Sequence, residues 1–336
     1  MRLLVTGGCG FIGSNFIRLT LREHPDLVVC NLDKLTYAGN PANLAGVEEE
    51  HSGRYVFERA DIADAGAVRA VLRKHKPEAV VHFAAESHVD RSIADPAPFV
   101  HTNVLGTAVL LRESMDAGPE RFVQVSTDEV YGSLPLCGAA PFTESSPLAP
   151  NSPYAASKAS ADLFCRSFYE TYRFPVIVTR CSNNYGPCQF PEKLIPFMYS
   201  RAVRGESLPL YGDGLNVRDW IYVDDHCRGV LSALERGVPG AVYNFGGGAE
   251  RSNIQVVSEI LKFCGKGEDL IRLVPDRPGH DRRYAVDYSL AMRDLSFAPT
   301  RTFEEGLREC LAWYAANGDR LEQLRSGTCP EHICAG

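Results

Sequence analysis

A glycine-rich loop close to the amino terminus limits most strongly what this chain can fold into. Residues 6–13 read T-G-G-C-G-F-I-G, with Gly7, Gly10 and Gly13 at three-residue steps. An apolar, strand-like segment precedes the loop and a helix-like segment follows it. Glycines between a strand and a helix let backbone amides approach a pyrophosphate that side chains would block. The loop therefore predicts a dinucleotide site; a glycine turn that binds nothing is the alternative.

Strand-like and helix-like segments alternate through the first half of the chain. Nearly continuous apolar runs, rich in β-branched residues, are predicted strands at Leu3–Val5, Leu27–Leu32, Tyr55–Phe57, Ala79–Phe83, Phe122–Val125 and Val176–Thr179. Apolar residues at helical spacing predict helices at Asn15–Glu23, Gly66–Lys74, Thr102–Ala117 and Ala155–Tyr172. Such alternation predicts an α/β fold with a doubly wound, Rossmann-like parallel sheet covered on both faces.

The alternation fades after about residue 180, where proline and glycine become frequent. Later helices are predicted at Leu194–Arg204, Asp224–Leu234, Gln255–Cys264 and Phe303–Asn317. A length of 336 residues fits two domains. We predict a dinucleotide-binding domain over residues 1–180 and a smaller, mixed substrate-binding region over 181–336, and we leave room for a later segment to return to the first domain.

Composition excludes several classes of protein. The chain carries 35 Lys and Arg against 42 Asp and Glu, a net charge of −7, which argues against a nucleic-acid binder. No apolar run is long enough for a membrane span, and no signal-peptide pattern is found. The eleven cysteines are an odd number without a C-x-x-C pair, which indicates free thiols in a reducing cytoplasm. We expect no metal site, although Cys329, His332 and Cys334 lie close together in sequence.

Asp33 ends the second predicted strand, twenty residues after Gly13. A carboxylate there can accept hydrogen bonds from the ribose hydroxyls of a dinucleotide. It would also repel a 2′-phosphate, so we expect NAD rather than NADP. A solvated turn aspartate is the alternative.

Two short patterns could carry chemistry. Tyr154 and Lys158 are four residues apart in a predicted helix, so they share a face, and the ammonium is expected to lower the tyrosine pKa. A tyrosine with a lowered pKa is a usable general base. Residues 126–129, S-T-D-E, follow the fifth strand at the sheet edge where ligands bind. Each pattern alone is common by chance, but together with the glycine loop they indicate an active site.

Longer runs carry a family resemblance. They are residues 33–40 (DKLTYAGN), 82–92 (HFAAESHVDRS), 126–132 (STDEVYG), 153–158 (PYAASK), 183–187 (NNYGP), 191–196 (PEKLIP), 216–220 (NVRDW) and 276–281 (DRPGHD). From Met1 to about Trp313 the chain resembles the dTDP-glucose 4,6-dehydratases of the extended short-chain dehydrogenase/reductase superfamily. The acid pair Asp128-Glu129 separates these hydro-lyases from the related epimerases.

The resemblance implies a mechanism. Tyr154 would take the sugar O4 proton while NAD oxidises C4, and Thr127 would hydrogen-bond the C4 oxygen. Glu129 would then remove the C5 proton, and Asp128 would protonate the C6 hydroxyl so that water leaves. Lys158 would bind the nicotinamide ribose. Hydride return to C6 would give a 4-keto-6-deoxy sugar.

The resemblance also implies binding residues. Contacts to NAD are expected from Gly7, Gly10, Phe11, Ile12, Gly13, Asp33, Lys34, Leu35, Thr36, Asp61, Ile62, Phe83, Ala84, Ala85, Ser87, Thr102, Tyr154, Lys158 and Asn184. Contacts to the nucleotide sugar are expected from Ser87, Thr127, Asn183, Lys193, Leu194, Pro209, Leu210, Tyr211, Arg218, Asn253, Asp276, Arg277, Pro278, Gly279 and His280. Lys193, Arg218 and Arg277 suit the diphosphate by charge.

Three questions stay open at this level. The resemblance implies a homodimer formed by the helices at Thr102–Ala117 and Ala155–Tyr172, but packing within one monomer would explain their apolar stripes equally well. The donor could be UDP-glucose or GDP-mannose rather than dTDP-glucose, because the sequence does not identify the nucleotide base. A non-catalytic NAD-binding regulator is the alternative from another class of protein.

Overall fold

The structure, a computed structural model, describes residues 1–318 of the chain. The strands, in chain order, are β1 (Arg2–Thr6), β2 (Val28–Asp33), β3 (Tyr55–Arg59), β4 (Ala79–His82), β5 (Arg121–Thr127), β6 (Val176–Cys181), β7 (Asn183–Tyr185), β8 (Leu208–Tyr211), β9 (Val217–Tyr222), β10 (Val242–Phe245), β11 (Glu250–Ser252) and β12 (Ile271–Val274).

The helices follow the same order. They are α1 (Phe11–Glu23), α2 (Val47–Glu50), α3 (Ala65–His75), α4 (Val89–Ala94), α5 (Ala97–Phe99), α6 (Thr107–Ala117), α7 (Pro153–Tyr172), α8 (Leu194–Arg204), α9 (Val223–Arg236), α10 (Asn253–Phe263), α11 (Ser289–Leu295) and α12 (Phe303–Ala316). A π-helical turn, Val100–Gly106, leads into α6, and short 3-10 turns lie at Pro41–Leu44, Asp128–Tyr131 and Glu268–Leu270.

Seven parallel strands form the central sheet, in the order β10-β6-β5-β4-β1-β2-β3. Helices α1, α9 and α11 cover one face, and α3, α6 and α7 cover the other. The predicted doubly wound, Rossmann-like fold is therefore confirmed, and each predicted strand of the first half lies in this sheet. Strand order reverses beside β1, and a reversal of this kind opens a crevice at the carboxyl ends of the strands.

Strand β10 is the part of this sheet that the sequence analysis missed. Its four residues, V-Y-N-F, follow Pro239-Gly240 and include a polar asparagine, so no apolar run marks the strand. It pairs with β6 from beyond residue 180. Helices α9 and α11 also pack on the large sheet, so the chain returns to its first unit after leaving it.

A smaller lobe stands beside the carboxyl ends of these strands. It contains the three-stranded sheet β11-β9-β7 and the two-stranded sheet β12-β8. Helices α8, α10 and α12 pack around it in a second core, which includes Trp220, Tyr222, Leu261 and Leu311. Because β7 begins only one residue after β6 ends, the lobe is joined directly to the crevice.

Other features bear on the environment of the protein. No helix within residues 1–318 is both long and apolar enough to cross a membrane. The nine cysteines of this range are all free thiols, and no three side chains in it are grouped to hold a metal ion. Cys329, His332 and Cys334 lie outside the described residues.

Candidate active site

The glycine loop uses its glycines for two different purposes. A Cβ atom on Gly7 would lie 2.5 Å from the backbone nitrogen of Ala84, and one on Gly13 would lie 2.3 Å from the carbonyl oxygen of Gly7. These two glycines are required by the packing of the loop itself. Gly10 differs, because a Cβ there would meet only the Gly7 oxygen, at 3.2 Å, and its backbone is not left-handed. Its missing side chain keeps the groove above the loop open.

The start of α1 faces that groove. Gly10 caps the helix without a side-chain hydrogen bond, and the first turn carries no acidic residue. The first helical hydrogen bond joins the Ser14 amide to the Gly10 carbonyl, so the amides of residues 11–13 have no partner within the helix. Free amides and the positive end of the helix dipole suit a diphosphate. The loop therefore fits the dinucleotide that the sequence predicts.

Asp33 lies at the end of β2, on the floor of the same groove. Its carboxylate accepts hydrogen bonds from the Cys9 amide at 2.9 Å and from the Leu35 amide at 2.8 Å. Burial raises the pKa of Asp33, and these two amides oppose the shift. Nearby, the Lys34 ammonium lies 2.6 Å from Asp61. The carboxylate of Asp33 is thus fixed where ribose hydroxyls would reach it.

One cleft collects nearly all of the predicted cofactor residues. Leu35 is the exception: its backbone shapes the turn after β2, but its side chain does not line the cleft. The predicted residues that line it are Gly7, Gly10, Phe11, Ile12, Gly13, Asp33, Lys34, Thr36, Asp61, Ile62, Phe83, Ala84, Ala85, Ser87, Thr102, Thr127, Asp128, Glu129, Tyr154, Lys158, Asn183, Asn184 and Lys193. The glycine loop and the acid pair therefore belong to one site.

Gly10→Val tests the assignment of this groove. The substitution leaves the loop backbone in an allowed conformation but fills the space over the helix start. We expect NAD affinity to fall by about tenfold or more, since hydrogen bonds to a charged group are lost. Fluorescence titration with NAD measures the affinity, and thermal unfolding shows whether the fold survives. Unchanged affinity in a folded variant would exclude the groove as the cofactor site.

The acid pair is positioned by the end of β5. Thr127 is the last residue of the strand and caps the 3-10 turn that follows it, where its hydroxyl accepts a hydrogen bond from the Glu129 amide at 3.3 Å. The same hydroxyl donates to the Asp128 carboxylate, also at 3.3 Å. The turn presents Thr127, Asp128 and Glu129 to the cleft as one unit.

The two carboxyl groups lie in different surroundings. Asp128 is 1% exposed, and burial raises its pKa well above the usual range, with further increases from Glu129 and Asp219. Burial also raises the pKa of Glu129, but the positive charges of Arg277, Arg218 and Lys193 oppose that shift. The surroundings therefore favour the protonated form of Asp128 and oppose the protonation of Glu129 in part, a difference that suits one acid and one base.

Tyr154 and Lys158 lie in the first turns of α7. Ser152 caps this helix, and the Tyr154 amide donates to the Ser92 hydroxyl at 3.1 Å. Both side chains are buried and line the cleft. The Lys158 ammonium donates to the carbonyl oxygen of Val125 at 2.8 Å, which holds it against β5.

The expected lowering of the Tyr154 pKa by Lys158 is wrong for this structure. Burial, Glu129 and Cys181 raise the pKa of Tyr154 well above its usual value, and a hydrogen bond with Thr127 lowers it only in part. Burial also lowers the pKa of Lys158. The helical spacing brings both residues to the cleft, but the Lys158 ammonium bonds to the backbone rather than to the phenol.

The residues predicted to bind the nucleotide sugar fall into two groups. Arg218 on β9 is buried, stacks over Tyr284 at 4.3 Å and donates to the Asp281 carbonyl. With Arg277 and Lys193 it places positive charge beside Glu129, at the end of the cleft nearer the small lobe.

The second group lies outside the cleft lining and within or beside the small lobe. Leu210 and Asn253 are buried there, and Leu194 packs on the second core, so the Leu210 and Leu194 side chains serve packing. His280 bonds Asp276 at 2.6 Å. The remaining members of this group are Pro209, Tyr211, Pro278 and Gly279.

Several site residues escaped the sequence analysis. Cys181, the last residue of β6, and Ser182, which follows it, line the cleft, as do Gln189, Phe190 and Glu192 from the segment after β7. Asp219 contacts one of these lining residues: its carboxylate accepts hydrogen bonds from the Ser182 hydroxyl at 2.6 Å and from the backbone amides of Gly247 and Ala249. Glu192 and Asp219 lie inside the runs PEKLIP and NVRDW, so the sequence carried a signal for both acids, although only other residues of these runs, among them the cations Lys193 and Arg218, were predicted to bind.

His226 is another residue whose place the sequence did not reveal. It is fully buried in α9, and its Nδ1 atom lies 2.9 Å from the side-chain oxygen of Asn184, a predicted cofactor contact. Burial lowers the pKa of His226 to about 3, so the ring is neutral. The histidine orients Asn184 from beneath the cleft.

Comparison with known proteins places this geometry in a family. The family model described as GDP-mannose 4,6 dehydratase matches residues 4–310. A dTDP-glucose 4,6-dehydratase of Shigella flexneri is 48% identical, over 98% of this chain and 96% of the relative. The chain belongs to the dTDP-glucose 4,6-dehydratase family. A second member, from Streptomyces niveus, is 49% identical over 97% of this chain and 96% of its own length.

Solved structures agree with this membership. The dTDP-glucose 4,6-dehydratase of Streptomyces venezuelae, crystallised with NAD and TYD bound, has a TM-score of 0.92 and 50% identity, covering 96% of this chain and all of that one. A UDP-glucose 4-epimerase of Thermotoga maritima reaches a TM-score of 0.87 at 31% identity, covering 94% of this chain and 99% of its own. Because epimerases share the fold, the choice of reaction depends on the site residues.

Proposed function

We propose that this protein is a hydro-lyase that converts dTDP-glucose to dTDP-4-keto-6-deoxyglucose with NAD as its resident cofactor. The observation that carries the proposal is the pair Asp128 and Glu129, which the turn after β5 presents to the same cleft as Tyr154 and the glycine loop. The proposal gives each of these side chains one step of the reaction.

The first step needs a base at O4. Tyr154 is buried in the cleft, and as the phenolate it takes the O4 proton while Thr127 holds the same oxygen with its hydroxyl. Bound NAD⁺ supplies the hydride acceptor for C4 and a positive charge that favours the phenolate. Lys158 of α7, whose ammonium is held against β5 by the Val125 carbonyl, would hold the ribose. The product of this step is a 4-ketone, which makes the C5 hydrogen acidic.

The second step removes water. Glu129, whose ionised form the surrounding cations favour against the effect of burial, takes the C5 proton. Asp128, whose protonated form is favoured by burial and by its neighbouring carboxylates, donates a proton to the departing C6 hydroxyl. Hydride from the reduced cofactor would then return to C6 and a proton from Glu129, which exchanges with solvent, would return to C5, which would leave a methyl group. The cycle is redox-neutral overall.

An epimerase and a non-catalytic NAD-binding regulator would each need a different set of residues in the cleft. An epimerase needs a base for O4 and room for the ketone to rotate, and it has no use for a buried acid beside a base. A regulator that only binds NAD has no use for either. Relatives named for dTDP-glucose favour the thymidine nucleotide over UDP-glucose or GDP-mannose.

Proton NMR in deuterated water tests the proposal. Purified protein with NAD⁺ and dTDP-glucose is expected to give a new methyl signal, deuterium at C5 and no net reduced cofactor. UDP-glucose and GDP-mannose, run beside it, identify the donor. An unchanged spectrum with all three donors would overturn the dehydratase proposal.

The pH profile should report Glu129 through its cationic neighbours. Because the base acts ionised, kcat falls as pH falls through the raised pKa of Glu129. Arg277 opposes that rise in pKa, so Arg277→Gln should move this acid limb to higher pH at saturating substrate. Arg282→Gln is the matched control, since Arg282 pairs with the exposed Asp213 at 2.7 Å. An acid limb unmoved in the Arg277 variant would contradict the assignment of the base.

The organisation of the molecule follows the same proposal. Residues 1–180, joined by the later segments that return to the large sheet, bind the cofactor, and the small lobe of the region 181–336 binds the sugar nucleotide. The free cysteines support a reducing, cytoplasmic setting.

A homodimer is also proposed. Exposed apolar side chains on the π-turn and α7, namely Val100, Leu105, Leu163 and Phe164, support pairing through these helices. Sedimentation equilibrium tests it, and a monomeric protein at micromolar concentration would exclude it.

A further inference from the structure

A partly buried ionic cluster joins three segments beside the cofactor cleft. Glu192, after β7, accepts a hydrogen bond from the Tyr37 hydroxyl at 3.0 Å and from the Arg91 guanidinium at 3.4 Å. Its carboxylate also lies 3.5 Å from Nε2 of His88. The Arg91 guanidinium stacks over the Tyr37 ring at 3.8 Å. We call Tyr37, Arg91 and Glu192 the clasp.

Each member of the clasp comes from a different segment. Tyr37 belongs to the loop after β2, Arg91 to α4, which follows the loop after β4, and Glu192 to the segment after β7. The Tyr37 ring also meets Phe190 edge-on, with centroids 5.4 Å apart. These contacts tie the first loop to the third across the opening of the cleft.

All three segments form walls of the cleft. The first contributes Thr36, Ala38 and Gly39, the second Phe83 to Ser87, and the third Phe190, Glu192 and Lys193. Tyr37 and Arg91 do not line the cleft. They therefore act on whatever lies in it only through the loops that they hold.

The clasp is buried enough for its pairing to matter. The side chains of Glu192 and His88 are only 11% and 13% exposed. His88 accepts a hydrogen bond from the Arg91 amide on Nδ1, and burial lowers its pKa to about 4, so Nε2 carries the proton that faces Glu192. A buried carboxylate needs its donors, and removal of one leaves it partly unpaired. Loss of the hydrogen bond from either Tyr37 or Arg91 to Glu192 should therefore loosen the contacts between the segments that the clasp joins.

We propose that Tyr37 and Arg91 are positioning residues that, through Glu192, hold the loops over the bound cofactor and set the rate at which it leaves. The inference rests on the proposed function, since it takes NAD to be the occupant of the cleft. A redox-neutral cycle returns the cofactor to its starting state, so a slow exit costs the reaction nothing. Lys193, next to Glu192, donates to the Ser87 carbonyl at 2.8 Å and adds a second tie between the loops.

Cofactor exchange on the holoenzyme tests the clasp. Protein loaded with nicotinamide-labelled NAD⁺ is chased with excess unlabelled NAD⁺, and the release rate is compared for wild type, Tyr37→Phe and Arg91→Met. We expect release to accelerate on the order of tenfold in both variants, because each loses a hydrogen bond to a charged group. For Tyr37→Phe, kcat at saturating NAD⁺ should stay within about twofold of wild type.

The control is Glu113→Gln, which removes a similar pairing, with Arg69 at 2.7 and 2.8 Å, far from the cleft. It should release NAD at the wild-type rate. Wild-type release rates in both folded clasp variants would overturn the inference, and so would lowered melting temperatures without faster release. If wild type retains no labelled NAD, the clasp inference fails, while the NMR assay with added NAD⁺ still decides the proposed function by itself.

Discussion

Glu129→Gln should abolish water elimination while leaving oxidation at C4 in place. The substitution preserves the shape of the side chain but removes the base for C5, so we expect turnover to fall by about two to four orders of magnitude. Because Tyr154 and Lys158 are untouched, the variant should still oxidise the sugar once. Reduced cofactor should therefore accumulate on the enzyme, visible by its absorbance, with no deuterium entering C5.

Asp128→Asn is the matched comparison, since it removes the other carboxyl from the same turn. That variant retains Glu129, so it should exchange the C5 hydrogen with deuterated solvent but lose water at a strongly reduced rate. The two variants therefore separate the base from the acid by one NMR experiment. Rapid C5 exchange in Glu129→Gln would show that another group is the base.

The sequence predicts the placement of those site residues that lie at strand ends or at helical spacing. The glycine loop follows β1, Asp33 is the last residue of β2, and the turn at residues 127–129 starts with the last residue of β5. Neighbouring strands of a parallel sheet end at one edge. Tyr154 and Lys158 share a helix face by spacing alone. These residues converge because the fold class dictates it.

Other parts of the site depend on long-range packing that no local pattern encodes. Strand β10 pairs with β6, although more than sixty positions of the chain separate their paired residues. His226 contacts Asn184, which lies 42 positions earlier in the chain. The Tyr154 pKa depends on burial and on Glu129, which only the folded structure brings together. The expected lowering of the Tyr154 pKa by Lys158 was wrong for the same reason. Helical spacing places both residues on one face, but it does not show that the Lys158 ammonium donates to a strand carbonyl.

Tyr154→Phe should remove activity at the earliest step. The phenyl ring keeps its packing against Phe99, whose centroid lies 6.4 Å away, so the fold and the cofactor groove should survive. Without the hydroxyl nothing takes the O4 proton, and we expect kcat to fall by about two to four orders of magnitude, with NAD affinity nearly unchanged.

The reaction step at which Tyr154→Phe stops distinguishes this variant from Glu129→Gln. Since C5 becomes acidic only after C4 is oxidised, Tyr154→Phe should show neither reduced cofactor nor C5 exchange, although both carboxyl groups remain. Tyr169→Phe, on the same helix but outside the cleft, should behave as wild type. If Tyr154→Phe still accumulated reduced cofactor at the wild-type rate, the base for O4 would have to be another group. Tyr154, with its raised pKa, would then stay protonated throughout the reaction.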